Sequence, residues 1–190
     1  QPAAKAEAEA EVAKRRAAEA ELEKKEGNVY RVPADCNEAA LTFMMQHSGA
    51  FGIVQGEKTI LVISESPGTQ HVFMDGRPHP QDWAPSRRGH SVGRWEGNSL
   101  VISTTGLEAG GGVPGGGRKR PETEVVERFT LRDPTHLVVN FTWNDPTIYV
   151  KPHSYEFTYE KQPADAYAFE SWCDVTDPLQ GQSIVIPPQK

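Results

Sequence analysis

The sequence predicts an all-β protein: an antiparallel lipocalin-like barrel or sandwich of about nine strands, preceded by an N-terminal α-helical arm. Apolar and polar residues alternate with a period of two in most runs after residue 50, as they do in 137–143. Turn residues such as Asp133-Pro134 separate these runs, and no helix-length segment lies between them. An alanine- and glutamate-rich block at 3–26 predicts the arm.

The predicted strands are short and bounded by turns. They are Phe51–Gln55, Lys58–Ser64, Gln70–Asp75, Ser91–Glu96, Ser99–Thr104, Glu124–Leu131, Leu137–Trp143, Ser154–Glu160 and Tyr167–Cys173. Parallel neighbours normally need crossover helices, and none is predicted here, so we expect antiparallel pairing.

The arm, residues 1–27, consists almost entirely of strong helix formers, and Gly27-Asn28 predicts where the helix stops. Small residues recur along one face at a three-four spacing, which allows a second helix to approach closely. These residues are Ala3, Ala6, Ala10, Ala13, Ala17 and Ala20. The arm is therefore predicted to project and to serve oligomerisation or an envelope partner, with a solvated spacer as the alternative.

Residues 28–190 are predicted to form a single β domain, because a chain of 190 residues with 37% apolar content can bury one core. Within it, the glycine-rich stretch 106–121 predicts a flexible loop. No Gly-Lys-Ser/Thr accompanies these glycines, so a phosphate-binding loop is not expected.

Charge and composition exclude several classes of partner. The net charge of -6 provides no basic footprint for nucleic acid, and no apolar run is long enough for a membrane span. The sequence opens with Gln1-Pro2 rather than methionine, as expected of a periplasmic or secreted protein after signal-peptide removal. In an oxidising compartment Cys36 and Cys173 are expected to pair, although two unrelated buried thiols are the alternative.

Residues 89–93, Gly-His-Ser-Val-Gly, match the nucleophile elbow of α/β-hydrolases. An elbow needs a helix directly after the serine, but this chain continues through a Gly97-Asn98 turn into another strand. The motif is therefore predicted to be a coincidence inside a β-hairpin.

The densest polar cluster is a proline-fixed turn with Asp75, Arg77 and His79, followed by His90. These side chains supply an acid, a base and a cation that can hold an anion. We therefore predict that Asp75, His79 and His90 are catalytic and that Arg77 binds the ligand. The alternative is that Asp75 and Arg77 form a salt bridge that only shapes the turn. The spacing of the histidines does not favour a metal site, so none is predicted.

Glu127 shares a strand face with Val125 and Phe129. A carboxylate on an apolar face must be paired, protonated or directed at a cavity, because burying it bare is too costly. We therefore predict a general acid or base with a raised pKa. The alternative is a local reversal of the faces that places Glu127 and Arg128 at a rim.

The segments VFMDGRPHP, GHSVGRWEGNSLVISTTG, VVERF and NDPTIYVKP together resemble a family of exported bacterial proteins of unknown function. Its members share a D-G-R-x-H-P turn and a G-H-S-x-G-x-W-E-G-[DN] hairpin, followed by an E-R strand and a D-P-x-x-Y segment. The resemblance covers roughly residues 50–175. It implies export and one β domain, and it implies no activity.

Two functions are compatible with these features. The first is a binding protein for a small apolar or aromatic molecule, extending to cofactor-independent lyase, dehydratase or isomerase chemistry at Glu127 and His90. Arg94, Trp95, Glu96 and Tyr149 are the further predicted ligand-binding residues. The second is a non-catalytic structural or assembly subunit of a cell-envelope complex that uses the arm.

Overall fold

The structure is a computed structural model. It describes residues 3–26, 28–31, 50–64, 69–112, 118–166 and 183–186. Cys36 and Cys173, with their predicted disulfide, lie outside these residues, as does the predicted strand Tyr167–Cys173.

The described residues form one helix and a series of short strands. The helix α1 is Ala6–Glu26, and the strands are β1 (Asn28–Arg31), β2 (Phe51–Gln55), β3 (Thr59–Ser64), β4 (Thr69–Phe73), β5 (His90–Glu96), β6 (Ser99–Thr105), β7 (Gly110–Gly112), β8 (Arg118–Lys119), β9 (Glu124–Asp133), β10 (His136–Asn144), β11 (His153–Glu160) and β12 (Ser183–Ile186). The mostly β architecture with one N-terminal helix is as predicted.

Eight of these strands make one sheet in the order β11-β10-β9-β6-β5-β4-β3-β2, and they correspond to the first eight strands predicted. The sheet is curled into a half-barrel. Its edge strands β2 and β11 come close where the rings of Phe51 and Tyr159 meet edge to face, with centroids 4.9 Å apart. Strands β1 and β12 form a separate two-stranded ribbon.

The expectation of wholly antiparallel pairing is wrong at one position: β4 and β5 are parallel. The chain returns along the sheet through residues 74–89 without a helix. Prolines 78, 80 and 85 keep this crossover extended. His79 of this crossover contacts Ser103 on the convex face of the sheet. Ser86 forms an isolated parallel bridge with Leu107, beyond the end of β6.

The core fills the concave face in two apolar clusters. The larger cluster includes Ile60, Val72, Ile102 and Phe141. The smaller cluster includes Leu107, Val125, Trp143, Ile148 and Tyr149. Strands β3, β6, β9 and β10 contribute alternate residues to this face, so the period of two in the sequence predicts much of the core.

The arm is docked at its N-terminal end. Lys5 N–H donates to the carbonyl of Ile148 at 2.7 Å, and Val150 N–H donates to Ala3 at 3.0 Å. Ala8 is buried in the smaller cluster, and Ala4 packs against it. The docked face therefore differs from the predicted alanine stripe, all six residues of which are exposed.

The glycine-rich stretch is partly paired. Gly110–Gly112 and Arg118–Lys119 form the antiparallel ribbon β7-β8, and residues 113–117 lie outside the described ranges. Leu107 and Lys119 are both buried, so the two ends of the stretch pack against the body.

Candidate functional site

A row of polar side chains lies between the two apolar clusters on the concave face. It consists of Gln70 on β4, Ser91 on β5, Thr104 on β6 and Glu127 on β9, and all four are buried. Gln70 Nε2 donates to Glu127 Oε2 at 2.8 Å and lies 3.3 Å from Ser91 Oγ. Ser91 Oγ and Thr104 Oγ1 are 2.7 Å apart. The row is one connected network.

Glu127 is the charged member of this row and has 0% exposure. Burial raises its pKa from 4.5 to about 7, against the opposing effect of the hydrogen bond from Gln70. Glu127 Oε1 and Gln70 Oε1 are buried and have no hydrogen-bond partner among the described residues. Each of these buried acceptors calls for a donor, which a proton, a water or a ligand supplies.

An apolar groove of about 1220 Å³ opens between the two edges of the sheet. Its apolar lining includes Phe51, Ile53, Leu131, Leu137 and Tyr159. Burial raises the pKa of Tyr159 to about 12, and the Glu127 carboxylate contributes to that rise. Tyr159 lines the groove, whereas none of the four residues of the polar row does.

A second polar network lies on the convex face. His79, from the crossover, and His90, from β5, place their Nδ1 atoms 3.0 Å apart. His79 Nε2 lies 3.1 Å from Ser103 Oγ, and Ser103 donates to Glu124 Oε1 at 2.9 Å. Desolvation lowers the pKa of both histidines below 6.5.

His90 sits among aromatic rings. Phe73 stacks on it with centroids 5.1 Å apart, and Trp83 meets it at 4.8 Å and a steep angle. The Arg77 guanidinium lies 4.1 Å from the centroid of Phe73.

Asp75 and Arg77 form the salt bridge that the sequence left open as an alternative. Arg77 Nε donates to Asp75 Oδ1 at 2.8 Å, and Arg77 Nη2 lies 2.5 Å from Asp75 Oδ2. This pairing lowers the pKa of Asp75 to about 2. The carboxylate is therefore engaged by Arg77 rather than by the histidines.

The remaining predicted ligand-binding residues are dispersed. On the convex face Arg94 donates to Glu96 at 2.8 Å, and Arg128 also contacts Glu96. Trp95 is 53% exposed at the end of β5, whereas Tyr149 is 3% exposed inside the smaller cluster. Burial and the nearby Asp145 raise the pKa of Tyr149.

Asp145, which precedes the proline of the D-P-x-x-Y segment, has a local structural role. It is fully buried, and Thr123 and Thr147 donate their hydroxyls to it at 2.5 and 2.6 Å. The turn it holds carries Tyr149 into the smaller cluster.

The structure brings His79 and His90 together and separates both from Glu127. Consecutive residues of β5 point to opposite faces, so Ser91 joins the concave row while His90 joins the convex network. One site that combines Glu127 with His90 is therefore not formed. The elbow motif is a coincidence, as expected, because β5 turns into β6 and Ser91 Oγ is buried.

Sequence reasoning missed Gln70, Ser103, Thr104 and Glu124. A signal existed for Gln70 and Thr104, since each occupies an inward position in a strand whose other inward residues are apolar. Ser103 and Glu124 carried no such signal, because polar residues on a convex face are ordinary.

Comparison of the chain with protein-family models, characterised proteins and solved structures found no match. The resemblance to the exported family therefore stays a prediction. In the described ranges, no helix is both long and apolar enough to cross a bilayer.

Proposed function

We propose that this chain is an exported, lipocalin-like protein that binds a small apolar or aromatic molecule in the groove between the sheet edges. The observation that carries the proposal is the apolar groove itself, which opens between the two edges of the curled sheet. The two buried acceptors without partners among the described residues, Glu127 Oε1 and Gln70 Oε1, lie deeper on the same face and do not line it. Ligand sites are mostly apolar, with a few convergent polar groups that set orientation.

The lining of the groove defines the ligand. Phe51, Ile53, Leu131, Leu137 and Tyr159 favour a small molecule with an apolar or aromatic body. A carboxyl with a pKa of about 7 is protonated in part of the population near neutral pH. A lyase, dehydratase or isomerase substrate that extends beyond the lining of the groove to Glu127 would exchange a proton with it without a cofactor.

Binding is tested with N-phenyl-1-naphthylamine, a fluorescent apolar probe that carries one N–H donor. Ile53→Lys places a charge in the groove, and we expect the probe affinity to fall about ten-fold or more. Val54→Lys is the matched control, since Val54 is the next residue of β2, is 53% exposed and does not line the groove.

Equal affinities for the wild type and both lysine variants would contradict the proposal, as would the absence of probe binding. Glu127→Gln tests whether the polar row contributes to probe binding separately from the groove. It keeps the shape of the side chain, and it should weaken the probe less than Ile53→Lys does.

The second candidate function, assembly through the arm, is favoured by a specific observation. Beyond its docked end, α1 leaves the predicted alanine stripe exposed, including Ala13 and Ala17. Replacing both with arginine blocks helix–helix approach. A lower mass by light scattering would support assembly, and an unchanged mass would exclude the stripe as its contact.

A further inference from the structure

We propose that the convex face carries a second reactive site, in which His90 Nε2 is a nucleophile for small aryl esters. The site is separate from the groove, whose lining includes neither His79 nor His90. The proposal rests on the direction that the hydrogen bonds impose on the two imidazoles.

The chain of hydrogen bonds starts at the Glu124 carboxylate. Ser103 has one proton and donates it to Glu124, so the contact between Ser103 Oγ and His79 Nε2 requires the imidazole to donate. A neutral His79 then has a lone pair on Nδ1. His79 Nδ1 lies 3.0 Å from His90 Nδ1, so His90 Nδ1 donates in turn. His90 is thereby held with an unprotonated Nε2, for which the described residues provide no hydrogen-bond partner.

The surroundings define the substrate class. His90 is 4% exposed, and Trp83, which covers it, is 43% exposed. Gly106 leaves room for the Trp83 ring, since a Cβ there would lie 2.9 Å from Trp83 Cδ1. The rings of Trp83 and Phe73 both contact His90, and the low exposure of His90 admits only a small electrophile. An aryl ester, whose ring can stack on these aromatic side chains, is therefore favoured over a bulky substrate.

In the first step, the Nε2 lone pair bonds to the ester carbonyl carbon, and the C–O bond to the aryloxide breaks with its electron pair. His90 Nδ1 loses its proton to His79 Nδ1, His79 passes its Nε2 proton to Ser103, and Ser103 passes its own proton to Glu124. The products are neutral N-acyl His90, protonated Glu124 and aryloxide.

Water completes the cycle. Its oxygen bonds to the acyl carbon, and the C–N bond breaks with its electron pair returning to Nε2. The relay returns the proton of Glu124 to His90 Nδ1. A carboxylate leaves, and both protons of the water pass to solvent.

The test uses the full chain with 4-nitrophenyl acetate. Mass spectrometry of the wild type, quenched early, should locate the acetyl group on His90; acetylation confined to other histidines overturns the proposal without any variant. His90→Gln should lower the rate of nitrophenolate release about ten-fold or more. His71→Gln, which removes an exposed imidazole from β4, is the matched control and should leave the rate unchanged.

Three residues position His90: His79, Ser103 and Glu124. This role is tested by determining which nitrogen of each imidazole carries the proton. Nitrogen-15 NMR should show Nδ1–H on neutral His90 and Nε2–H on neutral His79. Ser103→Ala removes the oxygen that accepts from His79 Nε2, so His79 should no longer be held in one tautomer. The pH–rate profile should also shift, because Glu124, Arg77 and His79 are the groups that act on these two rings. An Nε2–H tautomer on His90 in the wild type overturns the proposal.

Discussion

The two faces of one sheet carry two polar networks built from neighbouring residues. On β6, Thr104 belongs to the concave row and Ser103 to the convex network. Both networks combine hydroxyls with a carboxylate. The concave carboxylate, Glu127, is fully buried, whereas the convex carboxylate, Glu124, is half-buried at the surface. Complete burial is what raises the pKa of the concave carboxyl, Glu127, toward neutral pH.

The largest expected effect comes from Glu127→Gln, which removes the ionisable group from the concave row. Because burial raises the pKa of Glu127 from 4.5 to about 7, its contribution to stability is complete below pH 4.5 and is lost as the pH rises through about 7. Between pH 4 and pH 8, the free energy of unfolding of the wild type should fall by about 3 kcal/mol relative to the variant. Urea denaturation at both pH values measures this, and a pH-independent difference contradicts it.

Thr104→Val and Ser103→Ala compare the two faces directly. Thr104→Val removes a hydroxyl from a fully buried network and should lower the free energy of unfolding by about 1–2 kcal/mol. Ser103→Ala removes a partly exposed hydroxyl and should cost about 0.5 kcal/mol. Equal losses in urea denaturation would mean that the two networks are equally desolvated.

His79→Gln addresses the opposite end of the pH range. Desolvation lowers the pKa of His79 below its usual 6.5. On acidification the unfolded chain therefore protonates this histidine at a higher pH than the folded chain does. The stability that neutral His79 contributes is present above pH 6.5 and is lost as the pH falls. The loss of Tm between pH 7 and pH 5 should be smaller in His79→Gln than in the wild type. His71→Gln, at an exposed position, should retain the full loss.

The smallest effect is expected from Glu96→Gln on the convex surface. Arg94 and Arg128 lower the pKa of Glu96, but all three side chains are substantially exposed. Water and salt screen such pairs, so the change in Tm should be the smallest of this series and should vanish at high salt. A loss as large as that of Thr104→Val would show that the convex face is covered in solution.

Much of the fold could be predicted because its signals are local. The alternation in 137–143 and the turn at Asp133-Pro134 specify β10 and the hairpin before it. The parallel pairing of β4 with β5 could not be predicted, since it depends on where a proline-rich crossover returns to the sheet. Likewise, the docked side of the arm is determined by Ala8 of α1 and by Ala4, just before it, meeting the smaller cluster rather than by the arm's own alanine pattern.

The candidate site likewise has a part that could be predicted from the sequence and a part that could not. The burial of Glu127 followed from its apolar neighbours on one strand face, and His79 and His90 were predicted within one polar cluster with Asp75 and Arg77. Their partners could not be predicted, because Gln70 lies 57 residues from Glu127 and Ser103 lies 24 residues from His79.

The sequence by itself determined the strands, most of the turns, the helix and the face on which each strand residue lies, because these depend on side-chain alternation and backbone preference within a few residues. Only the tertiary structure decided which strands are neighbours, and therefore that Glu127 meets Gln70 on one face while His90 meets His79 on the other. Hydrogen bonds across a sheet join residues far apart in the chain, and their partners are selected when the whole curled sheet assembles.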